Sequence, residues 1–325
     1  MRIFMTGATG FIGPALIRHL KAHGHEIVGL ARSRQSAEAL QAMGVRSLIG
    51  SLTDLDVLRR GAGESDGVIH LAYTFSPGEL GRGRLLSAVL GGWPGAIVSR
   101  MMKAITATND AATNAMAEVL SGSGRPLISA FATMGLAGPS GERAERAATE
   151  RDKPNLQSPG YVRAVSEGLM HRWAERGVRT SIVRLAPAVH GKGDMGLIPQ
   201  LSQAARKHGE VIFVGDGANC WSGLHIDDAV TLFRLVLEKG QPGGIYHGVG
   251  DAGCGYREIA EIMGRRLSLP VRSGSQADSN RQFKFIAPFV STDNPVESIL
   301  TQEQLGWRPV GPTLREDLLG PDYFR

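Results

Sequence analysis

The sequence predicts an α/β protein: a Rossmann-type doubly wound parallel sheet with a smaller C-terminal substrate lobe. Two observations carry that prediction. Strand-like and helix-like segments alternate to about residue 185, the pattern of a parallel sheet covered by helices on both faces. A glycine-rich turn, Thr6-Gly7-Ala8-Thr9-Gly10-Phe11-Ile12-Gly13, joins the first strand to the first helix.

Taken in order, apolar runs predict strands over 2–6, 26–30, 46–50, 67–72, 126–130 and 179–184. Helical periodicity predicts helices over 11–23, 35–43, 54–61, 102–122 and 160–176. Beyond residue 186 the pattern loosens. Helical stretches at 197–208, 227–239, 256–267 and 296–304 alternate with Gly/Pro-rich loops and short strands such as Val211 to Val214 and Ile245 to Val249. The expected division is therefore a nucleotide-binding domain over 1–185, rejoined by segments at about 220–250, and a substrate lobe mainly over 186–325. That lobe is expected at the carboxyl ends of the strands, where such sheets bind ligands. Residues 73–101, with Tyr73, Phe75, Trp93 and many glycines, interrupt the alternation. They leave the ligand end of the fourth strand and read as a substrate lip.

The glycine turn has a physical job at each position. Gly7 allows the tight turn, Gly10 lets the backbone approach a pyrophosphate, and Gly13 lets the helix pack closely. Thr9, Phe11 and Ile12 complete the stretch, and the open N–H groups of the following helix favour phosphate. The second strand then ends Val28-Gly29-Leu30-Ala31-Arg32-Ser33-Arg34. A site for NAD places an acid here, about twenty residues beyond the glycines, to accept from the ribose hydroxyl. Arg32 and Arg34 stand there instead and suit a 2′-phosphate, so the expected cofactor is NADP(H). Ser51 and Leu52 are placed to meet the adenine, and Leu71 and Ala72 to pass beside the dinucleotide.

Composition narrows the alternatives. The net charge is +5 and the isoelectric point about 9.4, yet the basic residues are scattered among acids, against a nucleic-acid surface. Cys220 and Cys254 lack metal-ligand spacing and cannot build a disulfide framework, so no metal site and a reduced, cytoplasmic compartment are expected. The first strand starts at residue 2, leaving no room for a signal peptide. The longest charge-free run, Leu85 to Ser99, is glycine-broken and too short to span a membrane.

These residues together resemble the extended short-chain dehydrogenase/reductase family, of NAD-dependent epimerase/dehydratase type, across nearly the whole chain. The resemblance rests on the glycine turn, Gly50-Ser-Leu-Thr-Asp54, Val68-Ile-His-Leu-Ala72, Val183-Arg-Leu-Ala-Pro-Ala-Val-His-Gly191, Val214-Gly-Asp-Gly217 and Leu224-His-Ile-Asp-Asp-Ala229. It implies hydride transfer at a nicotinamide, with a Ser/Thr, a Tyr and a Lys four residues after the Tyr. Here the pattern departs. Tyr161 is present, but Val165 stands four residues on. Aligning on the helix end instead puts Arg163 at the lysine position and Pro159 at the tyrosine position.

The likeness thus implies an atypical subgroup. Its candidate catalytic residues are Arg163, Tyr161, Thr133 at the end of the fifth strand and His190 beyond the sixth. Arg163 and Pro187 are further expected contacts to the cofactor. An NADPH-dependent reductase of a small carbonyl or conjugated substrate is the leading expectation. A dinucleotide-binding regulator that has lost turnover comes next, and a sugar-nucleotide epimerase or dehydratase last. A homodimer is expected from the apolar surplus of helices 102–122 and 160–176 (Met102, Ile105, Met116, Val119, Val162, Leu169, Met170, Trp173), since family members commonly pair such helices.

Overall fold

The computed structural model describes residues 1–74, 78, 80, 82–90, 96–321, 323 and 324. The chain runs through β1 (Arg2–Thr6), α1 (Ile12–Ala22), β2 (Glu26–Ala31), α2 (Arg34–Ala42), β3 (Arg46–Ile49), α3 (Leu55–Gly63), β4 (Gly67–His70), α4 (Arg82–Leu90), α5 (Ile97–Glu118) and β5 (Pro126–Ala132). A 3-10 turn (Thr133–Leu136) and a long loop lead to α6 (Tyr161–Ala164), α7 (Glu167–Ala174), β6 (Arg179–Leu185), β7 (Ala188–His190) and α8 (Leu197–His208). Next come β8 (Val211–Val214), β9 (Cys220–His225), α9 (Ile226–Lys239), β10 (Gly244–Gly248), β11 (Asp251–Gly255) and α10 (Tyr256–Leu267). The chain closes with β12 (Val271–Gly274), α11 (Gln276–Phe283), α12 (Ala287–Val290), α13 (Ile299–Leu305) and α14 (Leu314–Leu319).

Seven strands form the central parallel sheet in the order β10-β6-β5-β4-β1-β2-β3. Strand order reverses between β1 and β4, which pair in parallel from Ile3 opposite Gly67 to Thr6 opposite His70. Strands covered on both faces need continuous apolar runs rather than alternation. Ile3, Phe4, Met5, Val68, Ile69, Leu127 and Ile128 are accordingly all buried. Two smaller sheets, β11-β9-β7 and β12-β8, complete the strands.

By their contacts the residues form two compact units: 1–130, 165–182 and 233–244 in the first, and 131–164, 183–232 and 245–325 in the second. The boundary differs from the expected break at 185, because residues 131–164 cluster with the second unit. That segment is tied there by Ala144 N donating to Asp293 Oδ2 at 2.9 Å and by the Thr301 hydroxyl donating to Glu150 Oε1 at 2.6 Å, and it is folded on itself by its own turns. Ser158 Oγ donates to Met134 O at 2.5 Å, and a Cβ added to Gly160 would lie 2.7 Å from Gly135 N.

The helix expected over 160–176 is broken at Val165–Ser166 into a single turn, α6, and a two-turn helix, α7. Here the chain passes from the second unit to the first. Ser166 precedes α7 and donates to Asp110 Oδ1 on α5 at 2.5 Å, while Trp173 Nε1 donates to Asn114 Oδ1 at 2.8 Å. Contacts to α5 thus orient α7, whereas the 3-10 turn orients α6. The apolar surplus that suggested pairing is largely consumed within the fold. Ile105, Met116, Leu169, Met170 and Trp173 are buried, and of the eight side chains only Met102, 39% accessible, is exposed. That burial removes the apolar surplus from which helix pairing is expected. Phe75 and Trp93 of the expected lip lie outside the described residues.

Candidate functional site

In the first unit the glycine turn lies where strand order reverses. Gly7 has φ +71°, and a Cβ there would sit 2.8 Å from Ala72 N, so only glycine allows this approach to the chain leaving β4. A Cβ on Gly13 would lie 2.4 Å from Ala8 O. The close approach at Gly13 is thus to the turn's own carbonyls rather than to the sheet. Thr6 fastens the two strand ends. Its Oγ1 lies 2.6 Å from His70 Nδ1 and accepts from Ala72 N at 3.2 Å, while Leu71 N donates to Thr6 O at 3.2 Å.

Phe11 leads into α1 without a side-chain cap, and the helix has no acid in its first turn. The first N–H groups of α1 have neither an intrahelical nor a side-chain acceptor, and a phosphate there meets no like charge. A backbone cradle that a Cβ would fill, next to uncapped amides, fits the pyrophosphate of a dinucleotide. Thr9, Gly10, Phe11 and Ile12 line the same turn, closed by Gly10 N donating to Gly7 O at 3.0 Å.

At the end of β2, Arg32 and Arg34 are both exposed. Ser33 caps α2 by accepting from Ser36 N at 3.1 Å, and no acid occupies the first turn of that helix. Ser51 is already engaged: its N–H and hydroxyl donate to Asp54 Oδ2 at 2.7 and 2.8 Å. Leu52 is buried. Ser51 and Leu52 therefore shape the start of α3, and the hydroxyl proton of Ser51 is not free for a base.

Two residues that the sequence reading passed over hold the ligand-side loops. Asn109 on α5 accepts from Thr74 N at 2.9 Å and donates to Thr74 O at 3.3 Å, so it pins the chain leaving β4. The signal was an Asn-Asp pair inside a helix, a position where such side chains bond to backbone instead. In the second unit, Asn294 binds the carbonyl and the hydroxyl of Thr133, at a separation no local pattern reveals.

The second unit brings Thr133, Tyr161 and Arg163 onto one packed substructure. Thr133 opens the 3-10 turn and is completely buried. Tyr161 and Arg163 lie half-buried on α6, whose Ala164 packs against Gly135, where a Cβ would approach to 2.5 Å. Val165, at the lysine position of one register, is 46% exposed. Pro187 is half-buried between β6 and β7. His190 stands apart from this group: it is completely buried, with Nδ1 2.9 Å from Asp317 Oδ2 on α14. Burial pushes both cysteine thiols up to about 12, so neither is a thiolate nucleophile at neutral pH. Among the described residues no cluster of His, Cys, Asp or Glu could hold a metal, and no helix is long and apolar enough to cross a membrane.

This chain matches the NAD dependent epimerase/dehydratase family over residues 3–80 and 95–247. It belongs to that family. A protein of Schizosaccharomyces pombe described as uncharacterized is 40% identical over 324 residues, covering all of both chains. A 4-hydroxy-2-methyl-3-oxo-4-farnesyl-3,4-dihydroquinoline-1-oxide ketoreductase of Stigmatella aurantiaca is 26% identical, over 76% of this chain and 67% of that protein. Among solved structures, the dTDP-glucose 4,6-dehydratase of Streptomyces venezuelae, crystallised with NAD bound, superposes with a TM-score of 0.73. It is 21% identical and covers 98% of this chain and 96% of its own, a likeness of fold. The family is NAD(P)-dependent, and its members among the relatives include reductases and dehydrogenases.

Proposed function

We propose that this protein is an NADPH-dependent reductase of a small carbonyl or conjugated substrate, working with a non-standard active site. The observation that carries the proposal is the end of β2, where exposed Arg32 and Arg34 replace the acid of an NAD site. A guanidinium pairs bidentately with a 2′-phosphate, whereas a carboxylate would repel it. Relatives described as reductases of 3-oxo compounds support the reductive direction. When bound, reduced NADP supplies the hydride.

The chain's own residues have separate duties. Gly7, Gly10 and Gly13 admit the pyrophosphate, with Leu71 and Ala72 beside them. Arg163 is the residue proposed to hold the nicotinamide ribose, with Pro187 as neighbour. An arginine keeps its proton near neutral pH and cannot relay one, so Tyr161 Oη is the proposed proton donor to the substrate oxygen. Two free cysteines fit a reduced cytoplasmic compartment, and a homodimer stays in the proposal through the common two-fold habit alone.

Fluorescence titration and an NADPH-consumption panel of aldehydes, ketones and enones test the reading. NADPH should bind at least about tenfold more tightly than NADH, within reach of one bidentate charged contact. Arg32→Ala should erase the difference; equal affinities in the wild type defeat the NADP assignment. Val165, where a lysine is usual, favours one second reading: a dinucleotide-binding regulator without turnover. Tight NADPH binding with no consumption across the panel would select it.

A further inference from the structure

Residues 191–196 join β7 to α8, and little inside this loop holds it. Gly191 (φ +134°) and Gly193 (φ +85°) take conformations that L side chains rarely adopt, and Lys192 between them is exposed. Asp194 supplies the internal anchor: its N–H donates to Gly191 O at 3.1 Å, and its Oδ1 accepts from Gly196 N at 2.6 Å. The other carboxylate oxygen accepts from the hydroxyl of Tyr323, in the segment that follows α14.

That segment is fixed on both sides of the tyrosine. Arg206 Nη2, on α8, donates to Phe324 O at 2.8 Å. The Phe324 ring is buried in the core of the second unit and meets the Tyr323 ring edge-on, 5.2 Å between centroids. Before the segment, Leu314 and Leu318 bury α14 in the same core, and Asp317 meets His190, the residue immediately before the loop. The loop's start, its Asp194 and the helix that follows it are thus tied to Asp317, Tyr323 and Phe324 respectively. Desolvation by burial holds the Asp194 carboxyl above its ordinary range, so removing the tyrosine leaves a buried acceptor poorly satisfied.

We propose that Tyr323 and Phe324 form a strap that holds the Gly191–Gly196 loop closed through Asp194, and that the loop opens when Tyr323 releases it. A use of such a strap in admitting substrate rests on the reductase reading. The strap itself does not.

Lys192 supplies the readout, because trypsin must draw several residues around the exposed lysine out of the loop to cleave after it, and cleavage of a briefly opened segment follows its open population. The full chain is digested under native conditions, and cleavage after Lys192 is compared by mass spectrometry with cleavage after Lys239, in the first unit. Tyr323→Phe removes one hydroxyl and keeps the ring. It should raise the Lys192/Lys239 ratio about tenfold, the scale of one hydrogen bond to a charged acceptor. Asp194→Ala should raise it at least as much. An unchanged ratio in both variants overturns the strap, and so does a parallel rise at both lysines, which reports general loosening. The ratio needs no turnover, so it holds or fails independently of the reductase reading.

Discussion

The Asn294 carboxamide grips Thr133 at two points: Nδ2 donates to the Thr133 carbonyl at 3.1 Å, and Oδ1 accepts from the Thr133 hydroxyl at 2.9 Å. A carbonyl can only accept, so the amide has one workable orientation and the hydroxyl must be the donor. The hydroxyl proton of Thr133 is committed to Asn294 inside the second unit. Proton donation in the proposed reaction therefore falls to Tyr161.

Asn294→Ala would leave the buried Thr133 hydroxyl without its acceptor, at ~1–3 kcal/mol, and take one donor from the Thr133 carbonyl, which keeps its bond within the 3-10 turn. Urea unfolding should show a loss of about 1–3 kcal/mol, while Thr133→Ser, which keeps both bonds, should lose less than about 1 kcal/mol. Asn294→Ala combined with Thr133→Val should cost less than the sum of the two single changes, because both break the same contact. Strict additivity would dissolve the pairing.

The glycines of the first turn differ in what they tolerate. A Cβ on Gly13 meets two backbone carbonyls, at 2.4 and 2.5 Å, and one on Gly7 meets Ala72 N at 2.8 Å with φ +71°. Gly24, also at positive φ (+80°), has nothing within 4 Å of an added Cβ. Gly24→Ala should therefore cost only the local strain, ~1 kcal/mol, and leave dinucleotide binding intact. Gly7→Ala and Gly13→Ala should each lose more stability and weaken NADPH binding more than about tenfold. Thermal melts and titration of all three variants check this; equal behaviour would mean the turn does not form the cradle.

The parallel sheet was legible because its strands are apolar on both faces and its turns carry glycine, both local signals. The strand ranges of the first half, and the helices expected at 11–23, 35–43 and 54–61, agree with the structure to within two residues, whereas α4 and the first turn of α5 lie inside the 73–101 stretch expected as an irregular lip. What escaped was non-local. The sheet β11-β9-β7 uses Asp251-Ala-Gly-Cys-Gly255, which has little strand character and is held by pairing with Cys220 to Gly223. At the break at Val165–Ser166 the Ser166 hydroxyl bonds Asp110, far away on α5, and no residue near 165 announces it. At the candidate site, the turn and the arginines of β2 could be read directly. Asn294 and Asp317 could not, since each reaches its partner across more than a hundred residues.

His247 gives the fold a pH dependence. Desolvation by burial lowers its pKa from 6.5 to about 4. Its Nδ1 lies 2.8 Å from Glu297 O, which can only accept, and its Nε2 lies 3.3 Å from Arg184 Nη1, which can only donate, so the ring is neutral with its proton on Nδ1. A folded pKa below the unfolded one means the unfolded chain binds the extra proton. The neutral ring's stabilisation is therefore complete above pH 6.5 and is lost as pH falls toward about 4. Unfolding free energy should drop by ~2 kcal/mol between pH 6.5 and pH 5 from this group. His247→Gln should lower stability at pH 7 and flatten that slope. An unchanged slope in the variant assigns the dependence elsewhere.

Arg163 decides between the two registers of the family motif. If it serves in place of the usual lysine, Arg163→Ala should weaken NADPH binding and abolish reductase activity, because ribose positioning and the local positive charge go together. Arg163→Lys should restore part of the binding, as a point charge without the planar fork. Tyr161→Phe then separates the duties. A loss of at least about a hundredfold in kcat with unchanged NADPH affinity assigns the proton to Tyr161 Oη. No loss moves it to bound water, since His190 is buried against Asp317. Full binding and turnover in Arg163→Ala would show that α6 presents an ordinary arginine, and that the register pairing it with the family lysine is wrong.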